Sequence, residues 1–390
     1  MMVALMGGWN GMADPVFQNG TFVGRAWRAD VGGPSVVVIR DGALFDITSK
    51  AAPTMRDLLE HPDPVAHVRS TQGERLVALE DCLGQKADPS ALHLLAPFDL
   101  QAVKACGVTF ARSMIERVIE ERAAGDASRA ETIRARVTAV IGDSLRNLKP
   151  GSPEAARVKA ALIEEGVWSQ YLEVGIGPDA EVFTKAQVLS AVGPGADVGL
   201  HPASRWNNPE PEIVLAVSSS GQVRGATLGN DVNLRDIEGR SALLLGKAKD
   251  NNASCAVGPF IRLFDETYGI DDVRKAELTL IVEGEDGYRL TGRSSMAEIS
   301  RDPLDLVAQT IGPHHQYPDG LMLFMGTLFA PVEDRDEPGQ GFTHKLGDVV
   351  TIANAELGHL TNTVRLSMQC APWTFGSAAL MRNLAGRGLL

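Results

Sequence analysis

Trp206 to Arg240 reads WNNPEPEIVLAVSSSGQVRGATLGNDVNLRDIEGR, and the fold turns on how this stretch pairs with itself. Glu210 and Glu212 stand two residues apart at the head of the apolar run Ile213 to Val217. On a strand, that spacing sends both side chains to one face. Ser218 to Gly221 then read as a turn. With Gly221 at the first central position of a two-residue type II′ loop, Asp231 falls opposite Glu212; with the loop at Ser220-Gly221 it falls opposite Glu210. In either register the three carboxylates share a face, because side chains alternate with a period of two. Three like charges this close repel unless something neutralises them, and an all-oxygen set suits Mg²⁺, Mn²⁺ or Ca²⁺. The competing reading is a solvated strand edge marked by Pro211, with the carboxylates paired to Arg235 or Arg240.

Composition limits the partners. The 390 residues suffice for one large or two moderate domains, and 44% hydrophobic content is ample for a core. A formal net charge of −12 argues against nucleic acid or an anionic membrane as partner, and for a small molecule. The four cysteines (Cys82, Cys106, Cys255, Cys370) form no CxxC pair, so reduced thiols are expected. The start, MMVALMGGWNGMADP, lacks the basic region and long apolar core of a secretory signal. Leu321 to Val332 is too short for a membrane span. A cytoplasmic protein with no membrane association is expected.

Working outward from the hairpin, residues 1–96 read as a small α+β N-terminal domain. It has strands at Ser35 to Arg40 and Ala43 to Thr48 around Asp41-Gly42, then a helix from Thr54 to His61. Residues 97–390 read as the catalytic domain. Val103 to Phe110 is a buried strand, and Arg112 to Trp168 is helical, punctuated by Gly142, Pro150-Gly151 and Gly166. Glu181 to Lys185 is a strand, and Val192 to Gly199 a loop without dinucleotide-binding spacing. Beyond the hairpin, Leu234 to Leu245 is expected to be one helix, followed by a polar loop from Gly246 into a strand near Pro259. Asp286-Gly287 marks a second hairpin, and Leu321 to Ala330, Asp348 to Ala353 and His359 to Leu366 are further strands. The fold class is α+β, with a mainly β catalytic domain and helices attached.

Five motifs in order carry a family resemblance: Pro209-Glu210-Pro211-Glu212, Asn230-Asp231, Arg235-Asp236, Lys249 leading to Gly258-Pro259, and Gly326-Thr327. Together they resemble the fumarylacetoacetate hydrolase superfamily from about Pro97 to Val364. Gly107 to Ser113, the Glu181-to-Lys185 strand, Trp206 to Glu212 and the C-terminal stretch from Pro372 are similar to its 2-keto-3-deoxy-pentonate dehydratases of D-xylonate and D-arabinonate catabolism. The resemblance implies a mixed β-roll catalytic domain, a divalent ion (Mg²⁺, with Mn²⁺ or Ca²⁺ as alternatives) on Glu210, Glu212 and Asp231, and a homodimer or homotetramer. One departure stands out. Hydrolases of the superfamily carry an Asp-His step where this chain has Arg112-Ser113, which shifts the expected reaction from hydrolysis to dehydration.

The expected chemistry is removal of water from a 2-keto-3-deoxy sugar acid, giving 2,5-dioxopentanoate. Lys249 matches the superfamily's active-site lysine, with Lys247 as the alternative match; a lysine shielded from water beside a cation is expected to have a lowered pKa. Glu181 matches an active-site carboxylate of the dehydratases. Arg235 is expected to clamp the substrate carboxylate or brace the metal ligands, or else to pair with Asp236 or Glu238. Thr327, following Gly326, is expected to hydrogen-bond the substrate carboxylate or its own backbone, and Ser113 to touch a substrate hydroxyl. His314-His315, His344 and His359 read as structural.

Overall fold

This computed structural model describes residues 15–141, 145, 148–329, 331–336 and 338–390; the N-terminal start, Gly142 and Ala330 named above lie outside them. Among the described residues, strands gather into an eleven-stranded and a five-stranded sheet. The N-terminal region supplies β1 (Phe22–Arg28), β2 (Gly33–Arg40), β3 (Ala43–Asp46), β4 (Glu74–Ala78) and β5 (His93–Leu95), with the helices α1 (Met55–Glu60), α2 (Pro64–Ser70) and α3 (Leu79–Cys82). Thr54 caps α1 by accepting the Asp57 N–H, which fixes its start.

The chain continues through β6 (Ala102–Gly107), α4 (Ala111–Ala123), α5 (Ala127–Ile141), α6 (Pro153–Glu164), α7 (Gln170–Ile176), β7 (Glu181–Ala186) and β8 (Asp197–Leu200). Then come β9 (Asn208–Val217), β10 (Val223–Asn233), α8 (Arg235–Glu238), α9 (Leu245–Lys249) and β11 (Cys255–Leu263). The last part holds α10 (Ile270–Val273), β12 (Glu277–Glu283), β13 (Arg289–Ser295), α11 (Pro303–Thr310), β14 (Leu321–Phe324), β15 (Val349–Asn354), β16 (Gly358–Leu366) and α12 (Ser377–Gly386). The large sheet runs β4-β3-β2-β1-β11-β10-β9-β14-β6-β7, with β5 on β1; the small one runs β13-β12-β15-β16-β8.

The central hairpin explains the layering. Every residue of β9 is buried. Its odd residues Ile213, Leu215 and Val217 join Leu278, Leu280, Ile352 and Leu360 in a core between the sheets, while Val214 and Ala216 join Met55 and Leu58 on the other face. A strand covered on both sides reads as an unbroken apolar run. Glu210 and Glu212 share the even column with Val214 and Ala216, so their burial follows from the same alternation.

The hairpin turn differs from both expected loops. Ser218 N–H bonds Gln222 O and Gly221 N–H bonds Ser218 O, with Gly221 at φ +81°. This is a three-residue loop closed by a left-handed glycine. Val223 faces Val217, but beyond Arg224 the register slips by one, so Gly225 faces Ala216 and Asp231 faces Glu210. The bulge restores the alignment that the sequence assigned to a shorter turn.

Four other expectations need correction. The single helix over Leu234–Leu245 is broken: α8 stops at Glu238, a 3-10 turn spans Ala242–Leu244, and α9 follows. Gly239 lets α8 end close against α4, since a Cβ there would lie 2.9 Å from the carbonyl oxygens of both Arg235 and Glu120. The polar loop expected from Gly246 begins instead as α9, which carries Lys249. The loop over Val192–Gly199 gives its last residues to β8, parallel to β16. The strand from Leu321 ends at Phe324 because Gly326 turns to φ +84°.

Candidate active site

Glu210, Glu212 and Asp231 each offer an oxygen such that all three lie within 4.8 Å of one another. Each carboxylate is anchored from behind. The Gly326 N–H donates to Glu212 Oε2 at 2.6 Å, Asn233 Nδ2 donates to Glu210 Oε1 at 2.9 Å, and Lys185 Nζ lies 2.9 Å from Asp231 Oδ1. The positive φ of Gly326 aims its N–H inward, and a Cβ there would overlap the Thr109 hydroxyl. Partners of this kind fix carboxylate orientation around a cation.

Lys249 enters from α9. Its ammonium is 3.0 Å from Asp231 Oδ2, 3.2 Å from Glu210 Oε2 and 3.0 Å from Glu238 Oε1, whereas Lys247 is exposed. A lowered pKa was expected. Burial does push the lysine down, but Asp231, Glu210 and Glu238 outweigh it and hold its pKa well above the ordinary lysine value. The carboxylates diverge. Burial pushes Glu210 up to about 7 and Glu212 well up, helped by their neighbours' charge, while in Asp231 burial loses to Lys185 and Lys249 and the pKa falls.

The cavity beside the trio is lined by Glu181, Ser113, Arg117, Tyr171, Phe183, Glu238 and Thr327 as well as the trio and Lys249. Burial raises the Glu181 pKa, with Arg117 opposing. Thr327 Oγ1 accepts the Phe329 N–H at 3.1 Å, which leaves its proton for another partner. Ser113 Oγ accepts from Phe110 N–H and donates to Phe110 O at the start of α4 while facing the cavity. His314 and His315 are exposed, and His344 is buried with Nδ1 3.1 Å from Asp348 Oδ2.

Glu181 lies over Gly107, where any Cβ would overlap its carboxyl group. Gly107→Ala is therefore expected to displace Glu181 without straining the backbone. Activity should fall about 100-fold, as for Glu181→Gln, with an unchanged melting temperature. Parallel kinetics and thermal melts check this; full activity in Gly107→Ala would show that the Glu181 position is immaterial.

Arg235 does not line this cavity. Its Nε is 2.7 Å from Glu120 Oε1, Nη2 is 3.1 Å from Glu116 Oε2, Nη1 donates to Pro331 O, and its guanidinium stacks 4.2 Å from the Trp206 ring. Among the described residues, no ion pair joins it to Asp236, Glu238 or the trio. It reaches the trio indirectly, as one member of a chain of alternating charge: Lys185, Asp231, Lys249, Glu238, Arg117, Glu120, Arg235, Glu116 and Arg134 are linked by ion pairs of 2.5–3.1 Å. Arg235→Lys loses the fork and the stacking and should cost about 3 kcal/mol, read by denaturant unfolding.

Sequence reasoning missed Lys185, Arg117 and Glu238. Lys185 was visible, since Glu181, Phe183 and Lys185 share one strand face. Arg117 follows Ser113 by one helical turn, so it too was in reach of spacing. Glu238 was hidden by the false continuous helix.

The oxygen-only donor set fits a divalent cation.

Comparison with known proteins agrees with this fold. Residues 173–365 match the fumarylacetoacetate (FAA) hydrolase C-terminal family, so the chain carries a domain of the fumarylacetoacetate hydrolase superfamily. Within it, the chain is 26% identical over 329 residues to a Haloferax volcanii protein named "Probable 2-keto-3-deoxyxylonate dehydratase", covering 83% of this chain and 93% of that one. It is 29% identical over 185 residues to the 2-dehydro-3-deoxy-D-arabinonate dehydratase of Saccharolobus solfataricus, covering 47% and 58%. The fold matches 2-keto-3-deoxy-D-arabinonate dehydratase complexed with magnesium and 2,5-dioxopentanoate, with TM-score 0.63 and 20% identity over 88% of this chain and 99% of that one. A fumarylacetoacetate hydrolase from Exiguobacterium antarcticum shares the fold at TM-score 0.53 and 17% identity, over 89% and 99%. Among the described residues, no helix is long and apolar enough to cross a membrane.

Proposed function

We propose that the chain is a Mg²⁺-dependent dehydratase that converts 2-keto-3-deoxy-D-pentonate to 2,5-dioxopentanoate, acting as a homodimer or homotetramer. The observation that carries this reading is the buried trio Glu210, Glu212 and Asp231 with Lys249 and Glu181 at its edge. The relatives' names supply the substrate class.

A bound divalent cation supplies a Lewis acid that polarises the keto group of a 2-oxo acid and offsets the charge of its enolate. The chain's own groups do the rest. Thr327 has a hydroxyl proton to give the substrate carboxylate, and the Lys249 ammonium donates to the enolate oxygen. Glu181, with its raised pKa, takes the C3 proton and returns it to the C4 hydroxyl, so the C4–O bond breaks and one water leaves. The remaining double bond moves toward C5 as C5 loses a proton and C3 regains one, and the enol becomes the aldehyde.

The test is purified protein with Mg²⁺ and 2-keto-3-deoxy-D-pentonate, coupled to an aldehyde dehydrogenase. Semialdehyde formation that stops with chelator and returns with Mg²⁺ is expected. Release of pyruvate or carbon dioxide would instead mark a hydrolase or decarboxylase, and no turnover of any keto acid a binding protein.

A further inference from the structure

The Lys249 ammonium has two kinds of partner. Glu210 and Asp231 belong to the carboxylate trio, whereas Glu238 stands outside it. When Glu210 and Asp231 share their charge with a divalent cation, their pull on the lysine weakens and cation–ammonium repulsion is added. Of the three partners, Glu238 alone shares no charge with the cation, so its pull on the lysine is undiminished.

Glu238 is built to hold still. It is 5% exposed, and its Oε2 is clamped by Arg117 Nη1 at 2.5 Å while Oε1 faces Lys249 at 3.0 Å. Arg117 is held in turn by Glu120 at 2.8 Å. Gly239 lets α8 end directly against α4, which brings Glu238 to Arg117. Held in this way, Glu238 offers the lysine a fixed partner.

We propose, resting on the metal-site reading above, that Glu238 is a positioning residue that draws the Lys249 ammonium off Glu210 and Asp231 when the cation binds. It then holds the ammonium where the enolate oxygen forms. Glu238 thus serves the reaction through Lys249 and without touching the ion.

The test is a calorimetric titration of Mn²⁺ into the full-length chain and its Asp231→Asn, Glu238→Gln, Glu238→Asp and Lys249→Met variants, with the Glu238→Gln/Lys249→Met and Glu238→Asp/Lys249→Met double variants. Wild type should bind Mn²⁺ and Asp231→Asn should not. Glu238→Gln and Glu238→Asp should each weaken Mn²⁺ about tenfold, because Lys249 then stays on the trio; in the Lys249→Met background each should cost less than about twofold. In Mg²⁺ kinetics both Glu238 variants should lose kcat by about 10–100-fold, with KM changed less than about threefold. The Asp variant keeps the charge but shortens the arm, so it separates contact from field and stands in should Glu238→Gln not fold. Equal Mn²⁺ losses in both lysine backgrounds, or unchanged affinity in both Glu238 variants, would overturn the positioning role. Failure of wild type to bind, or binding by Asp231→Asn, would overturn the metal-site reading and shows without any Glu238 variant.

Discussion

Glu212→Gln is expected to yield a folded protein that gains no thermal stability from Mg²⁺ and has lost activity about 10³-fold or more. Glu212 is 3% exposed, and burial with the Asp231 and Glu210 charges holds its pKa well above the ordinary value. A neutral amide removes that strain, and its oxygen still accepts the Gly326 N–H that Glu212 Oε2 accepts at 2.6 Å. Stability in chelator should thus equal or exceed wild type. The pH dependence follows from the sign of the shift. A carboxyl whose folded pKa is raised binds its proton more tightly folded than unfolded, so its contribution is full below the unfolded value and is lost as pH rises through the folded one. Wild-type stability in chelator should therefore fall from about pH 4.5 through about 7, where Glu210 titrates, and the Gln variant should fall less. Added Mg²⁺ at 100 times its Kd should stabilise wild type by about 2.7 kcal/mol and leave the variant unmoved. Melting curves over pH, with and without Mg²⁺, read all of this; equal Mg²⁺ stabilisation in both proteins would remove Glu212 from the site.

Lys249→Met should also lose about 10³-fold in turnover, but with the opposite response to metal. The ammonium contacts oxygens of Glu210 and Asp231 that a cation would claim, so its removal should leave Mn²⁺ affinity equal or higher. Without metal, three buried carboxylates lose a common partner, and stability should drop by about 3–5 kcal/mol. Metal should restore much of that loss. A variant that loses metal affinity along with turnover would show that Lys249 supports the ligands rather than the reaction. Titration calorimetry and steady-state kinetics on the same preparation distinguish the two.

What could be read from sequence was whatever depends on local period. The pairing of Glu210, Glu212 and Asp231 on one face survived two candidate turns, because a shift of two residues leaves the face unchanged. The real turn was illegible, since the bulge at Arg224 is a property of the paired strands. The two short strands flanking Asp41-Gly42 were equally plain, and they form as β2 and β3. Misreading began where a glycine acts through close packing. Gly239 lets the end of α8 lie against α4, and Gly326 turns so that its N–H meets Glu212. Neither neighbour is near in the chain. The alternating ion pairs from Lys185 to Arg134 were invisible for the same reason, as they draw on β7, β10, α9, α8, α4 and α5.

That charged relay sets where a functional fragment can be cut. The family match begins at residue 173, yet Ser113, Glu116, Arg117 and Glu120 all come earlier, on α4. A gene trimmed to the matched segment would still encode the acidic trio and Lys249, but Glu238 would lose Arg117, and Arg235 would lose both of its carboxylate partners. Grafting the chemistry onto a new scaffold, or shuffling it between homologues, has to carry the stretch from β6 through α4 along with the hairpin.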